Sequence, residues 1–274
     1  MLKACLHMPS ILVANARLIH RFGGRPQKME GVSQQAIDLF WLRYGKDNSF
    51  PRSIERLVAL ALPLTIIRLS LLSMRAVENW LRQRGVPFRF NCQSRTIRGC
   101  LVAFAGRGLI FIDDADSEDE QRFTAAHEIA HFLVDYWLPR EKAIQKFGPS
   151  IADVMDGLRG PTPSERFGAI LVNTRIGIYS DLMARNEDEP HNMDVWQIED
   201  RADSIALELL APQHAVLSTM NIAPLGSFSQ RVEAVDRTLR VGFGLPASVS
   251  GSYSRFLLRS IGRGPSWMES LGFG

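Results

Sequence analysis

Apolar residues recur at intervals of three and four through Phe123, Ala126, Ala130, Leu133 and Trp137, the stripe of a helix that buries one side. His127, His131 and Asp135 form the neighbouring stripe, so this helix carries chemistry beside its core face. Ser117 followed by Glu120 has the form of a capping box, and Glu118, Asp119 and Glu120 place negative charge where a helix N-terminus favours it. Pro139 is expected to mark the far end. A second stripe of Ile198, Ala202, Ile205, Ala206, Leu209 and Leu210 predicts another buried helix, capped by Asp194 and ended by Pro212.

The chain before Pro87 reads as helical. Helices are expected around Gln34 to Tyr44, from Pro51 through Leu62, and from Ser73 to Gly85 with Val77, Trp80 and Leu81 inside. The apolar run from Leu57 to Ile67 is too short to span a bilayer. After Pro87 the pattern changes to short runs of strand formers, Phe88 to Asn91, Leu101 to Phe104 and Leu109 to Ile112. Gly106-Arg107-Gly108 supplies a hairpin turn between the last two. No Lys-Ser/Thr and no helix follows these glycines at the offset a phosphate loop needs. Asp113, Asp114 and Asp116 lack the spacing of a calcium loop and read as a solvated turn. Towards the C-terminus, helices around Arg231 to Val241 and Ser248 to Ile261 flank a break at Gly242 to Pro246, a spacing that resembles a helix-turn-helix.

Composition narrows the class. A chain of 274 residues, 46% apolar, can build a real core, and its charge of +3 with a pI near 8.9 permits an acidic partner without demanding one. The three cysteines, Cys5, Cys92 and Cys100, form no CxxC and read as buried small apolar residues of a protein kept in the reducing cytoplasm. Residues 1–28 are basic without an acid, but they lack the continuous apolar core of an export signal and read as a leader. The expected domains are a leader and helix over 1–50, a central domain over 51–215 with a long insertion at 138–195, and a helical segment over 216–274. Arginines outnumber the acids around that last segment, which permits nucleic-acid contact. The lack of an evident third helix argues against a complete DNA-reading unit.

His127-Glu128-Ile129-Ala130-His131 is an HExxH sequence. In a helix this spacing puts both imidazoles on one face, the geometry two ligands need to share one Zn2+, with Glu128 placed to reach a water without binding the metal. A third protein ligand is then required. Trp137 stands where a third histidine of the metzincin pattern would fall, and Val134 where its glycine would fall, which excludes that arrangement. Asp135 lies a further turn along the helix, beyond a metal shared by the two histidines, and reads as a support behind a ligand or as a solvated acid. Glu199 and Asp203, four residues apart beside an apolar face, are the remaining candidates. A metal would compensate Glu199, and Asp203 could accept the free ring N–H of a ligand histidine, unless both are solvated acids on an edge. His191, His214, Tyr136, Tyr179 and Arg185 are candidates to stabilise an oxyanion.

The two motifs together, Arg122-Phe123-Thr124-Ala125-Ala126-His127-Glu128-Ile129-Ala130-His131 after a glycine hairpin and Glu199-x-x-Ala202-Asp203-x-x-Ala206-x-x-Leu209-Leu210-x-Pro212, resemble the ImmA/IrrE metallopeptidases over about Pro51 to Pro212. The resemblance implies an α+β zincin-like fold, mostly helical, with a small β-sheet beside the HExxH helix. It implies His127, His131 and Glu199 as zinc ligands and Glu128 as catalytic base. It further implies intracellular cleavage of a repressor- or antitoxin-type regulator, with a helix-turn-helix protein encoded nearby as the expected partner and no membrane involved. Ala130 stands where such proteins often have glycine, and Ile205 where an aromatic is frequent. The 68-residue separation of His131 from Glu199 (199 − 131) exceeds that of compact members, so the insertion is expected to border the cleft as a lid or a packing elaboration. By analogy with zincins, a peptide is expected along the hairpin edge beside Leu109 to Ile112. The competing class is a DNA-associated or protein-binding regulator with a structural zinc; a scaffold without metal is the third.

Overall fold

The computed structural model describes residues 31–45, 47–166, 176–185, 193–220 and 226–270. The leader, His191 and the acidic turn Glu187 to Pro190 lie outside the described residues, as does the side chain of Asp194.

The chain divides into two units, one holding residues 31–49 and 53–209, the other holding 50–52 and the described residues from 210 on. The first runs α1 (Gly31–Tyr44), α2 (Ile54–Ala61), β1 (Leu64–Leu69), α3 (Met74–Gln83), β2 (Ile97–Phe104), β3 (Arg107–Asp113) and α4 (Glu118–His131). A π-helical stretch, Phe132–Trp137, leads into α5 (Leu138–Phe147), followed by α6 (Ile151–Met155), β4 (Tyr179–Ala184) and α7 (Met193–Leu210). This is the α+β arrangement expected, with the HExxH segment on a helix laid against β2 and β3.

The sheet is larger than the alternating runs suggested. Its order is β1-β3-β2-β4, with β1 parallel to β3 and both β3 and β4 antiparallel to β2. β1 falls in a segment expected to be helical. Its β-branched Thr65, Ile66 and Ile67 fit a pleated surface, and tertiary pairing with Leu109, Ile110 and Phe111 decides the matter. Phe88 to Asn91 forms no strand; the two rings at 88 and 90 pack edge to face, 4.8 Å apart, against the cluster of Leu81, Ile97 and Phe111. The hairpin turns one residue early, on Ala105 and Gly106 with φ of 47° and 72°, the pair of positive angles a two-residue hairpin requires. Gly108 belongs to β3 and serves a different need, since a Cβ there would lie 2.3 Å from Leu64 Cδ2.

Three local expectations also change. Ser117 precedes α4 but its hydroxyl makes no cap bond, and Glu120 reaches out to Arg98 on β2, 3.1 Å away, instead of back to the cap. Pro139 does not stop the helical path: the π-helical turn absorbs the break and the proline sits in the first turn of α5, where a missing N–H costs nothing. Asp113 is buried, accepting from the N–H groups of Leu71 and Leu72 and from Arg185, so it ties β3 to the loop after β1. Cys100 is buried as expected, whereas Cys92 is exposed. Pro51 lies ahead of α2, which begins at Ile54 after Ser53.

The second unit contains α8 (Gln213–Thr219), α9 (Phe228–Phe243), α10 (Ala247–Ser260) and the short α11 (Trp267–Ser270). Ser227 and Gln230 form a full capping box at α9, and left-handed Gly244 ends it. Buried Ser250 donates to Asp236 at 2.5 Å, which pins α10 to α9. The paired helices and their break are those read from the pattern. No described helix is long and apolar enough to cross a membrane.

Candidate metal centre

His127 and His131 follow one another by a turn of α4, and their Nε2 atoms lie 3.1 Å apart inside the protein. Each ring is held from behind. Nδ1 of His127 is 2.8 Å from Asp203 Oδ1, and Nδ1 of His131 is 3.0 Å from Asp135 Oδ2. An imidazole that donates its Nδ1–H to a carboxylate keeps the Nε2 lone pair for a metal, and its ring cannot turn away. Asp203 comes from α7, one turn after Glu199, so a single helix supplies both a support and a donor. Asp135 acquires its place within the π-helical stretch and is itself bound by Arg201 of α7 at 2.7 Å.

Glu199 faces both rings. Its Oε2 is 3.4 Å from His127 Nε2, and its Oε1 is 3.7 Å from His131 Nε2. A fourth group, Asp181 of β4, places Oδ2 3.5 Å from His131 Nε2. One atom from each of these four residues lies within 4.8 Å of the others. Neighbouring donors on a tetrahedral ion with bonds of about 2.0 to 2.1 Å stand about 3.3 to 3.4 Å apart, so these spacings suit one small cation. The group can hold a metal ion.

The buried polar atoms carry the same message. Neither oxygen of Glu128 has a hydrogen-bond partner in the described structure, nor does Asp181 Oδ2. Carboxylates so placed are costly unless a cation or a donor answers them, on the order of several kcal/mol each. Burial drives the Glu128 carboxyl well above its ordinary range, with nearby Asp181 adding to the shift. Asp181 is raised for the same first reason, opposed by His131 and reinforced by Glu199. The histidines diverge. Burial lowers His127 despite its contact with Glu199, while at His131 the burial effect is overcome by Asp181, Asp135, Glu128 and Glu199, which lift it to about 10. The carboxylates thus draw positive charge toward His131, and a metal would compete there with a proton.

Space for Glu128 is made by Gly99 of β2. A Cβ at that position would stand 2.8 Å from Glu128 Oε1 and 2.5 Å from Thr124 Cγ2, so a side chain there would force the glutamate to move. Of the candidate oxyanion groups, Arg185 is engaged by Asp113 and Asp116, and the Tyr136 hydroxyl accepts from Gly106 N–H at 2.8 Å. Tyr179 shares a face of β4 with Asp181, and His214 lies on α8 in the second unit. The structure singles out none of them.

Asp181 escaped sequence reasoning because residues 138–195 read as an insertion beside the domain. They include β4, an integral strand whose Asp181 pairs with Leu101 of β2. In Tyr179-Ser180-Asp181-Leu182-Met183 the strand register puts Leu182 against the core and Asp181 on the other face, but apolar and polar residues do not alternate, so no period of two marked the strand. The edge expected for a peptide is also corrected. β3 is paired on both sides, by β1 and β2, so Leu109 to Ile112 have no edge to offer, whereas β4 has no described strand on its outer side.

A helix carrying HExxH against a small mixed sheet, with a carboxylate from a later helix closing on the same point, defines a zincin-like α+β protein. Residues 78–153 match the Peptidase M78 family, described as the IrrE N-terminal-like domain, which supports the chain as an ImmA/IrrE protein and suggests a metallopeptidase. The matched stretch includes His127, Glu128 and His131 but ends before Asp181, Glu199 and Asp203. No curated protein matches the chain.

Proposed function

We propose that the protein is a zinc-dependent intracellular endopeptidase whose substrate is a regulatory protein of the repressor or antitoxin type. The observation that carries this reading is Glu128: a buried carboxylate with both oxygens unpartnered, on the same helix as two imidazoles whose Nε2 atoms lie 3.1 Å apart. Such a group has no structural role to justify its desolvation, and it is placed as a proton acceptor.

In this reading His127, His131 and Glu199 hold the ion, while Asp203 and Asp135 keep the rings in register. Zinc, when bound, supplies Lewis acidity that acidifies a water and polarises the scissile carbonyl. Glu128 takes the water's proton and returns it to the leaving nitrogen. The outer edge of β4 offers main-chain hydrogen bonds to an extended substrate segment and brings it alongside Asp181. The preference for a regulator follows from the family resemblance.

Asp181 favours a second reading. Four protein donors around one ion are the mark of a structural zinc, which would make the protein a binding regulator without turnover. Exchange of Glu128 separates the two. Glu128→Gln keeps the shape of the side chain but removes the base, and general-base assistance is worth about 10² to 10⁴ in rate. Metal content should be unchanged while cleavage of a helix-turn-helix regulator encoded beside the gene, used as substrate, falls by that factor. Equal cleavage by parent and variant would remove Glu128 from the mechanism, and a full biological effect without cleavage would favour the structural-zinc reading.

A further inference from the structure

Three of the four converging groups come from helices, but Asp181 comes from β4, one of the two edge strands of the described sheet. Its Oδ2 is buried, has no hydrogen-bond partner and stands 3.5 Å from His131 Nε2, a separation in the range of the two Glu199 contacts at 3.4 and 3.7 Å. Asp181 therefore occupies the position that an open catalytic centre would leave for water or substrate.

We propose that Asp181 is a fourth protein donor to the metal, closing the centre at rest, and that its carboxylate must let go before a substrate can be attacked. This rests on the metal-site reading above. No covalent bond is made or broken in the exchange: one carboxylate leaves the ion and a neutral ligand enters. The placement of Asp181 on the sheet edge gives the step a trigger, because a peptide adding to the outer side of β4 pairs with the same strand that carries the donor. The centre is then latent until a substrate strand is in place.

Cobalt(II) and azide test this on the full chain. Co2+ reports its donor set through its visible absorption, and azide enters only where a position is open. The parent should bind Co2+ with a spectrum that azide does not move. Asp181→Asn, which keeps the side-chain volume, should bind Co2+ about tenfold more weakly or worse, and azide should then shift its spectrum; Asp181→Ala should behave alike. Azide acting on the parent as readily as on the variants, or Co2+ affinity unchanged in both variants, would overturn the assignment of Asp181 while leaving the metal site intact. A parent that binds no Co2+ at all would overturn the metal reading itself, and this proposal with it. The azide response of the parent needs no variant to fold.

Discussion

The candidate centre has a helical half and a sheet half, built on different rules. In the helical half, α4 and α7 present His127, His131, Glu199 and Asp203 at intervals of four residues, so the helical period itself puts the donors on one side and their supports a turn away. In the sheet half, Asp181 and Gly99 sit where strand pairing brings them, on β4 and β2, separated by a long stretch of chain. The helices thus carry a metal site as a local pattern, and the sheet adds its contribution only once the fold exists. In the proposed account the two halves take different roles: the helical donors would form the permanent grip, and the strand donor would be the one to exchange.

The strongest challenge to that division is to remove one carboxylate from each half. Glu199→Ala should lose metal affinity by more than 100-fold, well beyond the roughly 10 to 100-fold that a supporting carboxylate is worth. Its loss should also exceed that of Asp181→Asn in the same competition titration. If Glu199→Ala bound as tightly as the parent while Asp135→Ala did not, the third donor would be Asp135 of the π-helical stretch and the helical half would be wrongly drawn. A weaker effect distinguishes the two supports within the helical half. Asp203 is nearly sealed from solvent, with 7% of its side chain exposed, while Asp135 shows 18% and shares its charge with Arg201. Asp203→Ala should therefore weaken metal binding by about 10 to 100-fold, and Asp135→Ala by less; identical affinities in parent and Asp203→Ala would make Asp203 a packing residue alone.

The same division explains what could be read from the sequence. The HExxH helix, the second buried helix, the hairpin and the paired C-terminal helices were legible because each is a local period or a local turn. Asp203 was legible as a support because it falls one turn after Glu199. Asp135 read as too far along the helix to share the metal, and so as a support for a ligand or a solvated acid; it meets His131 through Nδ1, on the side of the ring away from the donors. β1 and β4 were missed since parallel pairing and edge pairing are tertiary facts, written in no short stretch of residues. Leu64 to Leu69 has an apolar run that suits a helix equally well, and Tyr179 to Ala184 is too short and polar to stand out in a segment without other landmarks. With β4 unseen, neither Asp181 nor the β4 edge of the sheet could be placed.

All of this depends on one ion at one point. Metal content of the purified full-length protein, measured by elemental analysis and then by zinc titration after chelation, tests it most directly. The account predicts close to one zinc or similar divalent ion per chain, removable by chelator and restored stoichiometrically, with the restored ion raising the melting temperature because it binds the folded state alone. No metal in the purified protein and no uptake on titration would contradict it.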